Sequence, residues 1–278
     1  MSSSNPLSDA QWQFLQEEIV REARRTLVAR RFLGIYGPLG AGIEAVALEE
    51  YGPDRDAEIE LVGKTDPEPI VAVREKYVRV PIIYKDFILH WRDVELSRKL
   101  DAPLDASRAI RASHFVADRE DRLLFNGEPR FGIEGLLNAS GRTHVRRGDW
   151  SVYGQAYRDV VRASEVLLQH NHHRPFALAV SAYDYARLIQ QREGQFAPEI
   201  DAIMRLCDDG VFTSPAIPDG SAVMLSTGDQ NVDIAVTEDL TIAYLGEQDQ
   251  DYPFRVYECL ALRIKRPRAI CTIGQEEG

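Results

Sequence analysis

The sequence predicts an α+β protein that associates with copies of itself. Two long stretches carry apolar residues at helical intervals, and the C-terminal third is mostly alternating, strand-like sequence. A third observation is a charged arm with too few apolar residues to fold alone. With 278 residues, 44% of them hydrophobic, the chain can bury a core of one large or two ordinary domains.

The N-terminal segment predicts one amphipathic helix. Ser8 and Gln11 have the spacing of a capping box, which marks a helix start. The apolar residues that follow recur at intervals of three and four: Trp12, Leu15, Ile19, Ala23 and Leu27. Because this helix stands alone before a Gly/Pro turn, its apolar stripe must pack against a distant part of the chain or another subunit.

The stretch RRFLGIYGPLGAG, residues 30–42, raises the question of a phosphate-binding loop. Such loops need free backbone N–H groups, and Walker loops also need a following Lys-Ser/Thr. Here Pro38 removes one N–H, no Lys-Ser/Thr follows, and Glu44 and Glu49 would repel a phosphate. The sequence therefore favours a structural turn whose glycines supply special backbone angles.

Residues 51–74 predict an extended two-stranded arm. The segment contains three prolines, many charges and two short alternating runs, around Ile59–Leu61 and Ile70–Val73. A ribbon with so few core residues needs a partner surface, which again indicates other subunits.

The rest of the chain alternates helices and strands. We expect a strand over 77–91, a long helix over 105–125 stopped by Asn126-Gly127, and a second helix over 152–168. A buried strand, FALAV, then precedes a helix capped by Ser181. The C-terminal strands are VMLS, VDIAV, LTIAYL and FRVYECLALRIKRP, and Pro267 interrupts the ladder before AICTI.

Composition disfavours several classes of function. A net charge of −11 opposes nucleic-acid binding, because phosphate contacts need a basic face. No run is apolar enough for a membrane span and the start lacks signal-peptide features, so we expect a cytoplasmic protein. Three cysteines without CxxC spacing indicate buried thiols.

Motifs for catalysis are equally weak. The cluster HNHH (His170, His172, His173) has metal-ligand residue types, but no nearby carboxylate or thiol completes a set, so an exposed polar turn is favoured. No familiar hydrolase, metalloprotease or calcium motif occurs. We therefore favour a self-assembling protein with no metal or cofactor over an α+β enzyme with scattered catalytic residues.

Six short motifs, in order, resemble those of the encapsulins, shell proteins that share the fold of tailed-phage major capsid proteins. Beyond RRFLGIYGPLG they are ADREDRLLFNG, GIEGLL, CDDGVFTSPAI, TEDLTIAY and KRPRAI. The chain departs from the family where GPLGAGIEAVA replaces an aromatic-rich segment and where Glu238 and Ala243 replace Gln and Gly.

The resemblance implies a Hong Kong 97 phage capsid-like fold with four parts. These are an N-terminal helix and turn (1–46), an E-loop lying on a neighbour (47–76), a P-domain (77–137 and 247–278) and an A-domain (138–246). It implies a non-catalytic icosahedral shell, expected to have sixty subunits, in the cytoplasm of a bacterium or archaeon. A prophage capsid protein of the same fold is the alternative.

The resemblance also implies two functional sites. A cargo enzyme, such as a dye-decolorising peroxidase or a ferritin-like protein, would dock through its C-terminal targeting peptide. Arg30 and Asp239 would orient that peptide, and Phe32, Leu240 and Ile242 would line its pockets unless they are core residues. The candidate cargo-binding residues are Arg30, Arg31, Phe32, Asp239, Leu240 and Ile242. The candidate five-fold pore residues are Arg192, Glu193, Gly194 and Gln195.

Overall fold

A computed structural model describes residues 5–51, 57, 59, 61–63, 66, 69–100, 102–191 and 194–275. The helices are α1 Asp9–Thr26, α2 Trp91–Leu100, α3 Ser107–Asn126, α4 Gln155–Gln169, α5 Ala182–Leu188 and α6 Glu199–Met204. The strands are β1 Gly34–Tyr36, β2 Ala45–Tyr51, β3 Ala72–Arg79, β4 Ile82–Leu89, β5 Thr143–Arg146, β6 Phe176–Val180, β7 Gly210–Thr213, β8 Ala222–Ser226, β9 Val232–Tyr244, β10 Tyr252–Ile264 and β11 Ile270–Gly274. The helices and the strands contain similar numbers of residues, as expected for an α+β protein.

The first sheet has the strand order β1-β9-β10-β4. Its short edge strand β1 runs parallel to β9, whereas β9, β10 and β4 are antiparallel. The helices α1 and α3 pack on each other, α1 against β9 and α3 against β4 and β10. The core between these elements includes Leu15, Ile19, Leu124, Phe254 and Val256, all fully buried.

The second sheet has the order β5-β11-β8-β6-β7 and surrounds a separate apolar core. All residues of β6, β8 and β11 are buried, which matches their continuous apolar sequences. Helix α4 contacts β5, β8 and β11, and Trp150 is among the residues it covers.

Two strands cross the boundary expected between the A-domain and the P-domain. Strand β9 precedes residue 246 but belongs to the first sheet, with β10 and β4. Strand β11 follows residue 247 but belongs to the second sheet, beside β5 and β8. The two sheets therefore exchange chain segments near the C-terminus.

Several predicted boundaries differ from the structure. The single strand expected over 77–91 is divided: β3 ends at Arg79, β4 begins at Ile82, and α2 begins at Trp91. Pro81, which cannot donate a ladder hydrogen bond, lies at the division. The helix expected from residue 152 begins at Gln155, because Gly154 has a left-handed backbone.

The C-terminal strands also differ from the prediction. VDIAV and LTIAYL form one 13-residue strand, β9. The polar pair Glu238 and Asp239, which divides the two apolar runs in the sequence, lies beside an irregularity where β10 shifts register at Cys259. A bulge thus accommodates the residues that resembled a turn.

The predicted arm is present as an antiparallel pair of strands, but its paired residues lie elsewhere. β2 pairs with β3 over 45–51 and 72–79. The strand expected around Ile59–Leu61 is wrong for the residues described there, since neither Ile59 nor Leu61 is in a strand. Among the described residues of this pair of strands, Val46 and Leu48 of β2 are buried.

The N-terminal helix forms as predicted. The Ser8 hydroxyl accepts from the Gln11 backbone N–H, and the Gln11 side chain accepts from the Ser8 N–H, so the capping box is confirmed. Its apolar stripe is buried against α3 and β9 of the same chain, as the Ser113 hydroxyl donating to the Ile19 carbonyl at 2.6 Å illustrates. Of the two partners the sequence allowed, the distant part of the chain is the one observed.

Gly127, which ends α3, provides a test of the local geometry. Its φ is +70°, and a Cβ there would lie 2.2 Å from the Ile133 carbonyl oxygen. We expect Gly127→Ala to lower the free energy of unfolding by about 3 kcal/mol or more, from backbone strain plus the clash.

The matched control is Gly132→Ala, where φ is +67° and no atom lies within 4 Å of the added Cβ. It should cost only the strain, about 1–2 kcal/mol. Denaturant midpoints of the two variants measure the difference, and equal losses would contradict the role of the close contact.

Candidate functional site

Arg30 lies at the junction of four elements. Helix α1 ends at Thr26, and a 3₁₀ turn, Ala29–Arg31, then carries Arg30 towards α3, β9 and β10. Its Nε donates to Glu120 Oε1 at 2.7 Å, its Nη1 to Asp239 Oδ1 at 2.8 Å and its Nη2 to Glu258 Oε2 at 3.0 Å. We call these four residues the Arg30 cluster.

The cluster is largely removed from water. The Arg30 side chain is 14% exposed, Glu120 is fully buried and Glu258 nearly so, whereas the Asp239 side chain is 63% exposed. One guanidinium therefore serves three carboxyl groups, two of which are in the protein interior. A buried charge without a partner is costly, so the geometry of this cluster is tightly constrained.

The pKa values of the cluster follow from burial and charge. Burial raises the pKa of Glu120, and the adjacent Arg30 opposes this only in part. Burial, followed by the charge of Glu120, raises the pKa of Glu258 well above its ordinary value. Burial also acts to raise the pKa of Asp239, but the hydrogen bond and charge of Arg30 outweigh it and the pKa is lowered.

Asp121 binds the backbone of the same turn. Its carboxylate accepts from the backbone N–H groups of Val28 and Ala29 at 3.0 Å, and the Ser214 hydroxyl lies 3.4 Å away. Burial raises the pKa of Asp121 to about 6, although these backbone hydrogen bonds favour the ionised form. Two consecutive residues of α3 thus bind one turn: Glu120 accepts from the Arg30 side chain, and Asp121 accepts from the turn backbone.

The six candidate cargo-binding residues lie near this turn, but most are engaged inside the chain. Phe32 packs against Phe212 and Phe125, with ring centroids 5.1 and 6.3 Å apart. Leu240 and Ile242 are buried in the core. The Gln16 side chain on α1 donates to the Leu240 carbonyl at 2.9 Å.

Two of the six retain exposed polar groups. Arg31 is exposed, with its guanidinium donating to the backbone carbonyls of Leu27 and Arg25, and Asp239 is the exposed member of the Arg30 cluster. Sequence analysis paired Arg30 with Asp239 but missed Glu120, Asp121 and Glu258. Their signal was present, since Glu120 and Asp121 interrupt the apolar face of α3 and Glu258 falls among the buried residues of β10.

The candidate pore segment is described only in part. Arg192 and Glu193 lie outside the described residues. Gly194 has φ +80°, and Gln195 is exposed in the loop between α5 and α6, where its carbonyl accepts from Gln191 at 3.5 Å. The neighbouring Phe196 is fully exposed.

Other candidate sites contribute little chemistry. Among the residues that the structure describes, no three His, Cys, Asp or Glu side chains form a group able to hold a metal ion. His170 Nδ1 lies 2.9 Å from the Val166 carbonyl oxygen, and His172 is buried. Cys207, Cys259 and Cys271 are buried thiols, as predicted. Across the described ranges, no helix has the length and apolar character that crossing a membrane requires.

The outer face of the first sheet is apolar and exposed. Ile82, Tyr84 and Ile88 alternate along β4 with buried residues, and each is about half exposed. The Arg255 guanidinium lies 4.0 Å from the centre of the Tyr84 ring and forms an ion pair with Asp86 at 2.7 Å. Contiguous apolar surface of this kind is characteristic of a protein–protein contact.

The fold is that of a virus-like shell subunit. The chain superposes on a virus-like particle from Pyrococcus furiosus with a TM-score of 0.76 at 18% identity, covering 94% of this chain and 98% of that one. It matches the capsid of Myoviridae phage XM1 with a TM-score of 0.62 at 12% identity, covering 87% and 90%. The predicted Hong Kong 97 phage capsid-like fold is confirmed.

Sequence comparison identifies the family. Residues 1–261 match the family described as "Encapsulating protein for peroxidase". The chain is 42% identical to the type 1 encapsulin shell protein EncA of Myxococcus xanthus over 98% of this chain and 94% of the relative. It is 39% identical to a diheme-cytochrome-encapsulin shell fusion protein of Kuenenia stuttgartiensis, over 98% of this chain and 75% of that protein. The chain belongs to the encapsulin shell proteins.

This membership confirms the resemblance drawn from the motifs. The relatives are structural shell proteins that assemble into capsid-like compartments, and they are not enzymes. The α+β enzyme considered from composition is thereby excluded.

Replacing Arg30 tests the importance of its cluster. We expect Arg30→Met to lower the free energy of unfolding by about 3–5 kcal/mol, because it leaves two buried carboxyl groups without their cation. Arg122→Met, which breaks only an exposed pair with Asp118 at 2.9 Å, should cost about 0.5 kcal/mol or less. Denaturation curves measure both, and a similar small loss in each would contradict a structural role for Arg30.

Proposed function

We propose that this protein forms an icosahedral shell of sixty subunits that encloses a cargo protein bound through a C-terminal targeting peptide. The observation that carries the proposal is the 42% identity, over nearly the whole chain, to a type 1 encapsulin shell protein. The subunit supplies walls, pores and a docking site, and chemistry is left to the enclosed protein. The interior of a bacterial or archaeal cell is the proposed location.

The proposed cargo is a redox or iron-handling protein. The family description names peroxidase as what its members encapsulate. Two relatives are shell proteins fused to a diheme cytochrome and to a ferritin-like protein, respectively. A dye-decolorising peroxidase or a ferritin-like protein is consistent with these names.

The parts of the subunit have distinct proposed roles. Residues 77–137 and 247–278 would form the P-domain, with β11 contributing to the neighbouring sheet, and residues 138–246 the A-domain, with β9 contributing to the P-domain sheet. Residues 192–195, in the loop between α5 and α6, would line the five-fold pore. Residues 47–76 would form an E-loop that lies on a neighbouring subunit.

The arm supports assembly because its apolar side chains have no cover within the chain. Ile59, Leu61 and Val62 are almost completely exposed, as is Ile70. Ordering a residue costs about 1–2 kcal/mol of backbone entropy, and little burial within this chain offsets that cost. Contact with a second copy would supply the missing burial.

The burial of three candidate residues limits which side chains could contact a cargo peptide directly. Phe32, Leu240 and Ile242 have too little exposed surface to enclose a peptide side chain, so they would form the floor of the site. Arg31 and Asp239 present charge at its rim, and Arg30 holds Asp239 in place. An extended peptide would be oriented by these charges and by backbone groups of the turn.

Removing the arm tests assembly. We expect deletion of residues 54–66 to leave a folded subunit that no longer closes a shell, because Ile59, Leu61 and Val62, which are described within this segment, are almost completely exposed. Size-exclusion chromatography and negative-stain microscopy measure particle size, and circular dichroism reports folding. Full-sized shells from the deletion variant would refute the proposed role of the arm.

An exposed charge tests the cargo site without disturbing the core. We expect Arg31→Glu to form normal shells but to retain at least about tenfold less of a reporter carrying the targeting peptide of a co-encoded cargo, since the negative charge of the glutamate repels the negative peptide carboxylate. Arg205→Glu, an exposed arginine beyond α6, is the control. Normal retention by Arg31→Glu would remove Arg31 from the site.

A further inference from the structure

The Arg30 cluster contains more carboxyl groups than its single cation can satisfy. Glu120 Oε1 and Glu258 Oε2 accept from Arg30, but Glu120 Oε2 and Glu258 Oε1 are buried and accept no hydrogen bond from an N–H or hydroxyl donor. Both carboxyl groups therefore converge on one guanidinium. Two buried carboxylates beside a single cation leave an uncompensated charge, unless one of them carries a proton.

Among the residues that the structure describes, the ionisable groups near this pair include no second cation that hydrogen-bonds to it. They are Arg24 on α1, Asp121 on α3, Glu238 and Asp239 on β9, and Tyr257 and Cys259 on β10. Glu238 accepts from the Tyr257 hydroxyl at 2.6 Å, and Asp121 accepts from the turn backbone. Arg24 acts on the exposed Asp239 rather than on the buried pair.

We propose that Glu120 and Glu258 share one proton and that this proton acts as a latch, holding the turn after α1 on the first sheet at low pH and loosening it as pH rises. Arg30 links the pair to the turn. When the proton leaves, two buried negative charges face one guanidinium, so opening of the turn, which admits water to the pair, becomes less costly.

The direction of the pH dependence follows from the environment of Glu258. Its pKa in the folded state is raised well above the ordinary value of 4.5, chiefly by burial and then by the charge of Glu120. A carboxyl group with a raised folded pKa stabilises the fold fully at low pH, and that contribution is lost as pH rises towards the folded value. Docking of α1 and its turn should therefore weaken as pH rises above the ordinary value of 4.5 towards the raised pKa of Glu258.

Hydrogen exchange in assembled shells tests the latch. In the wild type, protection of residues 9–31, after correction for the intrinsic exchange rate, should fall about tenfold for each unit by which the Glu258 pKa is raised. Glu258→Gln keeps the carbonyl that accepts from Arg30 and adds an N–H for Glu120, so it imitates the protonated state. Its protection should stay constant as pH rises.

The control is Asp86→Asn, which alters an exposed ion pair with Arg255 on the same sheet and should keep the wild-type pH profile. A profile for Glu258→Gln that parallels the wild type would overturn the proposal. If Glu258→Gln does not fold, Glu120→Gln tests the same prediction by replacing the other carboxyl group of the pair.

Infrared spectroscopy of wild-type shells with ¹³C-labelled glutamate gives an independent readout. A protonated carboxyl band should persist above the pH range in which glutamate ordinarily titrates and disappear as pH rises further, and its loss within the ordinary range would also overturn the proposal. None of these measurements involves cargo. A result against the latch would therefore leave the shell and cargo-docking proposals intact, and a result against those proposals would leave the latch intact.

Discussion

The attachment of the N-terminal helix to the body of the subunit depends on one arginine. Arg30 reaches Glu120 on α3, Asp239 on β9 and Glu258 on β10, so a single guanidinium joins segments that are 90, 209 and 228 residues away in sequence. Guanidinium suits this position, since its planar fork keeps its charge when buried and offers donors in several directions. Apolar packing holds α1 against α3, but such packing is non-directional and would allow α1 to shift along α3. The three directional ion pairs of Arg30 fix the position of the turn after α1.

A second constraint is that the chain cannot cover its own surface. The outer face of β4 and the extended arm expose apolar side chains that a monomer would be expected to bury. Their arrangement differs from a poorly formed core, because the exposed apolar residues of β4 lie on one face of the strand and the buried Ile83, Phe87 and Leu89 lie on the other. The exposed set is therefore an organised surface, consistent with a family whose members close into shells.

Local signals made much of this fold predictable from the sequence. Ser8 and Gln11 identified the start of α1, and the apolar run FALAV identified β6, because both depend on residues that are close in the chain. Long-range effects limited the rest. Glu238 and Asp239 resembled a turn, but a bulge opposite Cys259 lets one strand continue through them. The buried carboxyl groups were visible as interruptions of apolar patterns, but their pairing with Arg30 could not be predicted, since nothing local connects residue 30 to residues 120 and 258.

The same turn that anchors α1 carries the exposed Arg31, and this proximity links structure to the proposed function. Arg30 and Arg31 are adjacent, yet one points into a buried cluster and the other remains at the surface. A peptide bound at Arg31 would rest on a turn whose position is fixed by Glu120, Asp121 and Glu258, so the rigidity of the docking site comes from the interior of the subunit. Because Asp239 belongs to both the cluster and the rim, any change in the protonation of the buried pair would also reach the surface that the cargo is proposed to contact.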